Sequence, residues 1–210
     1  MPWLAALAVL AIAYLLGSIP TGYLAGRLVA GIDVREHGSR STGATNVLRL
    51  LGKGPALAVF AVDVLKGVAA IVVARELLQW LALPEAQAWA SWIVCLAGMA
   101  ALLGHARSVW LGFTGGKSAA TGLGVLLALS WPVGLGAAAA FAVVLAALRI
   151  VSLASMLGAL TAILLVCSLA QPLAYRVLVI AGAAYVVVRH RANIQRLIAG
   201  TEPRLGQSTR

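Results

Sequence analysis

The sequence predicts an all-α membrane protein: a polytopic helix bundle of about seven transmembrane helices, forming one domain over residues 1–210. Three observations predict it. Residues of the AVILMFWYC set make up 62% of the chain and charged residues only 10%, against about 45–50% (glycine included) and about 25% in soluble globular proteins. Mean hydropathy is +0.98, which leaves too little polar surface to cover a water-soluble particle. The 16 lysines and arginines gather in alternate connections between apolar runs. Soluble globular, disordered and disulfide-scaffold classes are excluded.

A spanning helix needs about 20 mostly apolar residues, fewer where it is short or broken. Such runs fall at 3–28, 55–78, 88–104, 118–131, 133–149, 155–170 and 173–189. The fourth and fifth meet at Ser130-Trp131-Pro132-Val133-Gly134, where proline and glycine suit a tight turn; six spans result if the two are one helix. The first run is no secretory signal, because Met1 to Gly26 holds no lysine or arginine and the apolar stretch is too long. Its first positive residue, Arg27, marks a cytoplasmic flank and leaves the N-terminus outside.

The later connections agree. Arg35, Arg40, Arg49 and Lys53 follow Arg27, Arg107 and Lys117 follow the third run, and Arg149 follows the fifth. Arg189, Arg191, Arg196, Arg204 and Arg210 follow the seventh. With Lys66 near the inner end of the second run, fourteen positive residues lie on one side and only Arg75 and Arg176 on the other. An odd number of spans then puts the C-terminus in the cytoplasm. The net charge of +10 suits anionic lipids or substrates at that face, and no nucleic-acid partner is expected. Cys95 and Cys167 sit in apolar runs without further ligands at metal spacing, so both read as small buried hydrophobes, with no metal site and no disulfide.

Glycine, small hydroxyl and basic residues cluster on the cytoplasmic side, whereas the outer connections hold little beyond Arg75, Glu76, Glu85, Gln171 and Arg176. In a bundle the inner loops converge on one polar site. The first cluster offers Gly38, Ser39, Ser41, Thr42, Gly43, Thr45 and Asn46, exposed N–H groups and hydroxyls able to wrap a phosphate as a nest, with Arg49 for bidentate pairing. The second runs from Gly104-His105 to Gly115-Gly116-Lys117-Ser118. A helix start beside a lysine favours a bound anion, but the strand and glycine spacing of a nucleotide P-loop are missing. The third places Ser152 and Ser155 at i, i+3 on one helix face. The fourth continues the last helix, with Arg189, His190, Asn193 and Arg196 within roughly 120°. Asp63 and Lys66, an i, i+3 pair in an apolar run, neutralise each other or hold a loop end.

Phosphate-binding loops on the inner face of a membrane point to a lipid phosphate. Nucleophiles are scarce: there is no glycine-X-serine-X-glycine elbow and no metal cluster. The His–Asp pair of ordinary glycerolipid acyltransferases is also missing, since Thr42, Trp110 and Gln195 stand five residues after His37, His105 and His190. Only Asp33 and Asp63 exist, too few for a metal-dependent phosphotransferase. What remains is electrostatic positioning of anionic partners. The rival class is a small membrane transporter for phosphorylated metabolites, which would want polar or broken helices at the midplane and a gate on each side.

Together the motifs Gly17-Ser-Ile-Pro-Thr-Gly-Tyr23, His37-Gly-Ser39, Gly43-Ala-Thr-Asn-Val-Leu-Arg49, Asp63-Val-Leu-Lys-Gly67, Gly104-His105, Gly115-Gly-Lys117, Ser152-Leu-Ala-Ser155 and His190 to Glu202 resemble the bacterial acyl-phosphate-dependent glycerol-3-phosphate acyltransferases, in order and over almost the whole chain. The resemblance implies a seven-helix enzyme of the bacterial inner membrane with its active site on the cytoplasmic side. It would move an acyl group from acyl phosphate to the 1-hydroxyl of glycerol 3-phosphate, giving lysophosphatidate without a cofactor. It implies that Ser39, Arg49 and Lys117 handle substrate phosphates, that Ser152 and Ser155 form the hydroxyl motif, and that His190 and Asn193 form the C-terminal motif. Gly38, Ser41, Thr42, Gly43, Thr45, Asn46, His105, Gly115, Gly116 and Arg196 then complete substrate binding. Many members read Gly-Asn where this chain has Arg40-Ser41, and glycine where it has Ser118.

Overall fold

A computed structural model describes residues 2–81 and 87–206; Glu85 and Arg210, counted above among the loop charges, lie outside the described residues. Among the described residues the regular structure is helical, apart from an isolated antiparallel bridge between Ser108 and Thr114. The helices are α1 (Pro2–Ser18), α2 (Thr21–Ala30), α3 (Ala44–Leu51), α4 (Lys53–Leu81) and α5 (Ala90–Ala106), then α6 (Ala119–Leu129), α7 (Trp131–Leu148), α8 (Val151–Ser168), α9 (Leu173–Arg189) and α10 (Arg191–Ile198). Four segments are long and apolar enough to cross a membrane: Trp3–Ala30, Lys53–Leu81, Trp131–Leu148 and Val151–Ser168. The bent pair α9 and α10 makes a fifth, and α5 and α6 are apolar but shorter.

The outward faces are apolar, with Leu28 84%, Trp80 81% and Leu164 70% exposed. Such side chains belong in lipid, and polar groups turn inward instead: Asp63, Lys66, His105, His190 and Asn193 are buried. Small residues let backbones approach. Gly67 of α4 lies against the Thr121 backbone of α6, while Gly124 of α6 lies against that of Val64, so neither position has room for a Cβ.

One expected span is broken inside, and two expectations need correction. The run at 3–28 is two helices, because Pro20 has no N–H to continue the ladder. The freed groups are caught by α4: the Lys66 ammonium donates to the Ile19 carbonyl at 3.0 Å, and the Thr21 hydroxyl donates to Asp63 at 2.6 Å. The last helix does not continue straight but bends by 59° at His190. Cys167 is exposed on the apolar surface of α8, unlike the buried Cys95; both are free thiols. The break between the fourth and fifth runs stands as expected, with Ser130 extended (φ −151°, ψ 97°) between α6 and α7.

Candidate active site

One end of a long cavity is polar and the other apolar. Ser39, Arg49, Lys117, Ser152, His190 and Asn193 line it at the polar end, and Leu126, Ala137, Phe141, Ala162 and Val179 line it between the spans. Four sequence segments far apart in the chain therefore meet at its mouth.

Each segment is held by its own chemistry. In the loop before α3, the Arg35 guanidinium pairs with Asp33 at 2.7 Å and holds its carboxyl down to about 2, chiefly by that hydrogen bond. Arg35 also reaches the Leu111 carbonyl and the Thr114 hydroxyl, both at 3.3 Å, tying the first polar loop to the second. Asn46 fastens the turn from inside: its amide donates to the carbonyls of Val34 (2.9 Å) and His37 (3.2 Å), and its Oδ1 accepts the Ser39 N–H at 2.8 Å. Gly38 sits there at φ 58°, with no room for a Cβ beside Asn46.

The second loop is stacked on the end of α5. The Gly116 N–H donates to the His105 carbonyl at 3.1 Å, and Gly115 and Gly116 leave no space between themselves and His105. The His105 ring is turned by Asp63, whose Oδ1 lies 3.4 Å from Nδ1, while Lys66 neutralises the same carboxylate at 2.7 Å. From the other side, the Arg189 guanidinium donates to the Gly116 carbonyl at 2.9 Å.

A carboxylate collects the rest. Glu202 accepts from the Ser152 hydroxyl (2.6 Å), the Asn193 amide (2.6 Å) and Arg196 (2.7 Å). Those three donors hold its carboxyl below its ordinary value against the opposing effect of burial. With its NH₂ turned to Glu202, Asn193 presents Oδ1 to the Lys117 ammonium at 2.7 Å. Burial, the largest influence, pulls Lys117 down to about 8; Glu202 raises it, and Arg196, Arg49 and Arg189 lower it further. The His190 ring has Nδ1 2.7 Å from the Val186 carbonyl. A carbonyl only accepts, so that nitrogen carries hydrogen and Nε2 is left as an acceptor.

Residues 7–200 match the sequence pattern of the family described as glycerol-3-phosphate acyltransferase. The chain belongs to that family. A "glycerol-3-phosphate acyltransferase 2" of Rhizobium johnstonii is 66% identical, with 98% of each chain covered. A glycerol-3-phosphate acyltransferase of Trichormus variabilis is 55% identical over 95% of this chain and 92% of its own. The fold is similar to that of PlsY, an integral membrane glycerol 3-phosphate acyltransferase. Its glycerol 3-phosphate form has a TM-score of 0.86 at 37% identity, with 96% of both chains covered. Its lysophosphatidic acid form has a TM-score of 0.83 at 36% identity, with 96% and 95% covered.

The expected contact residues of this acyltransferase divide by what their atoms do. Ser41, Gly43, Thr45, His105, Ser155 and Arg196 line the cavity with the six named above. Gly38, Thr42, Gly115 and Gly116 do not; they shape the two loops through their backbones. Asn46 lines the cavity but spends its amide on the loop, and Ser155 donates to the Val151 carbonyl of its own helix at 2.9 Å. Arg189, expected in the same polar stripe as Asn193, points instead at the glycine loop because of the bend at His190. Glu202 was not among the expected contact residues, although it is the sole acid among the basic residues from Arg189 onward. That isolation was its signal.

Proposed function

We propose that the protein transfers a fatty acyl group from acyl phosphate to the 1-hydroxyl of glycerol 3-phosphate, giving lysophosphatidate and inorganic phosphate. The observation that carries this reading is the two-ended cavity: a cationic, hydroxyl-rich mouth continuous with an apolar channel between α6, α7, α8 and α9. A phosphorylated polyol fits the first and an acyl chain the second. Family membership supports the same assignment. So do the names of the two PlsY forms, one with glycerol 3-phosphate and one with lysophosphatidic acid.

In this reading Arg49 and Lys117 offset the mutual repulsion of two phosphates, which brings the polyol hydroxyl to the acyl carbonyl. Ser39 and Ser152 donate to phosphate oxygens, and Asn193 aims Lys117. The ester C–O bond forms, the acyl–phosphate C–O bond breaks, and the hydroxyl proton leaves with phosphate. A substrate phosphate oxygen is its acceptor, with Nε2 of His190 the protein alternative. Replacing His190 by alanine separates them. Turnover lost far beyond that of Asn193→Ala, with binding kept, contradicts the substrate-assisted version.

The reading includes one domain with seven spans, counting α1–α2 as one and α5 and α6 as short ones, in a bacterial inner membrane. The N-terminus is outside, and the C-terminus and active site are cytoplasmic. The charge bias, thirteen to two with Lys66 set apart as a residue buried midway along α4, supports that orientation. The test is purified protein in lipid with labelled glycerol 3-phosphate and either palmitoyl phosphate or palmitoyl-CoA. Lysophosphatidate from the acyl phosphate alone is expected. Product from the CoA ester alone contradicts the donor, and label moved unchanged across vesicles favours a transporter.

A further inference from the structure

Most helical glycines of the bundle are accounted for by what they touch. At Gly17, Gly67, Gly104, Gly124 and Gly134 a Cβ would run into the backbone of a neighbouring segment. On the cavity wall, Gly158 of α8 behaves the same way, with the Ala137 carbonyl 3.0 Å from an added Cβ. Gly122 of α6 and Gly182 of α9 line the cavity too, but no backbone excludes a side chain there. A Cβ at Gly122 would meet nothing within 4 Å, and one at Gly182 would meet only Leu102 Cδ2, at 3.4 Å. Glycine inside a helix costs stability relative to alanine, and here the fold does not require it. Because both positions line the cavity, the space left by their missing side chains adjoins it.

The two stand at different depths. Gly122 is three residues past Ala119, where α6 begins, roughly 4.5 Å at helical rise, and Gly182 is eight residues from His190, roughly 12 Å. The neighbouring wall is apolar, with Leu123, Val179, Ala183 and Val186.

We propose that Gly122 and Gly182 are acyl-chain specificity determinants: the missing side chains leave room for the chain, near the polar mouth at Gly122 and farther along at Gly182. The inference rests on the acyl-transfer reading above. Bulk at Gly182 obstructs a long chain and spares one that ends before it, whereas bulk at Gly122 meets every chain. Because the space is open, alanine at either site leaves the fold at least as stable.

The experiment measures kcat/KM for octanoyl, lauroyl and palmitoyl phosphate in wild type, Gly122→Ala, Gly122→Val, Gly182→Ala and Gly182→Leu, with thermal unfolding of each. Gly182→Leu should lower the palmitoyl-to-octanoyl ratio by about tenfold or more, the size of discrimination an apolar pocket achieves. Gly122→Val should lower all three. Both alanine variants should unfold at or above the wild-type temperature, and Gly182→Ala gives a milder version of the same ratio change if the leucine variant does not fold. Parallel losses for all donors in the Gly182 variants, an unchanged ratio, or alanine variants that unfold earlier would overturn the proposal. Wild-type protein inactive with every acyl phosphate would instead defeat the reaction reading beneath it.

Discussion

An exposed lysine keeps its charge in any ordinary assay buffer, but Lys117, pulled down to about 8 by burial, does not. It is cationic below that value and loses its proton as pH rises through it. Since kcat/KM reports the free enzyme, kcat/KM for either phosphate substrate should fall above about pH 8. The corresponding limb in kcat lies at higher pH, because a bound phosphate favours the charged ammonium. Lys117→Arg, which stays charged, should remove the limb at some cost in rate; an unchanged limb would assign it elsewhere. Two other residues carry a side chain where the backbone favours glycine. Arg40 and Ser118 both have left-handed backbone, at φ 56° and 62°, the two positions where the resemblance drawn from the sequence led to an expectation of glycine. Arg40→Gly should therefore stabilise the protein by about 1 kcal/mol in thermal unfolding. Ser118→Gly should gain less, since it gives up the 2.7 Å bond from its hydroxyl to the Leu102 carbonyl. The positive φ values were invisible in the sequence, which offered only the substitutions themselves.

At the scale of elements, the site depends on helices that stop short. α6 has 11 residues and extends only about 16 Å; Lys117, Ser118 and Ala119 at its start line the cavity, so its positive N-terminal end faces it. The break between α1 and α2 is held by Asp63 and Lys66, which also fix His105 and hence the glycine loop. Lys66→Met leaves a buried carboxylate without its cation and should cost about 3–5 kcal/mol. Adding Asp63→Asn in the same chain should recover part of that loss, as followed by thermal unfolding in detergent. A pair of no importance would show neither effect. Hydropathy located the apolar runs because it reports burial in lipid. It was blind to the break at Pro20 and the 59° bend at His190, both of which lie inside or beside long apolar stretches. The intrahelical pairing of Asp63 with Lys66 was legible from spacing, but its partners on α2 and α5 required the packed bundle.

For the molecule as a whole, charge and polarity are sorted twice. Thirteen positive residues against two divide the sides of the bundle once Lys66, buried midway along α4, is set apart, and reporter fusions should put the C-terminus in the cytoplasm and the N-terminus outside; the reverse would overturn the proposed orientation. Within the bundle, apolar side chains face out while Asp63, His105, His190 and Asn193, all buried, line one cavity. The loops that build this mouth were readable from their glycines, hydroxyls and basic residues. Their division of labour was not, because Asn46 and Ser155 turn to nearby backbone and Glu202 gathers donors from α8 and α10. In the proposed mechanism Lys117 stands where two phosphates meet. Single-turnover formation of labelled lysophosphatidate from palmitoyl phosphate, with both substrates saturating, tests it most directly in wild type and Lys117→Ala. Folded Lys117→Ala should react at least about a hundredfold more slowly; a rate within a few-fold of wild type would contradict the account.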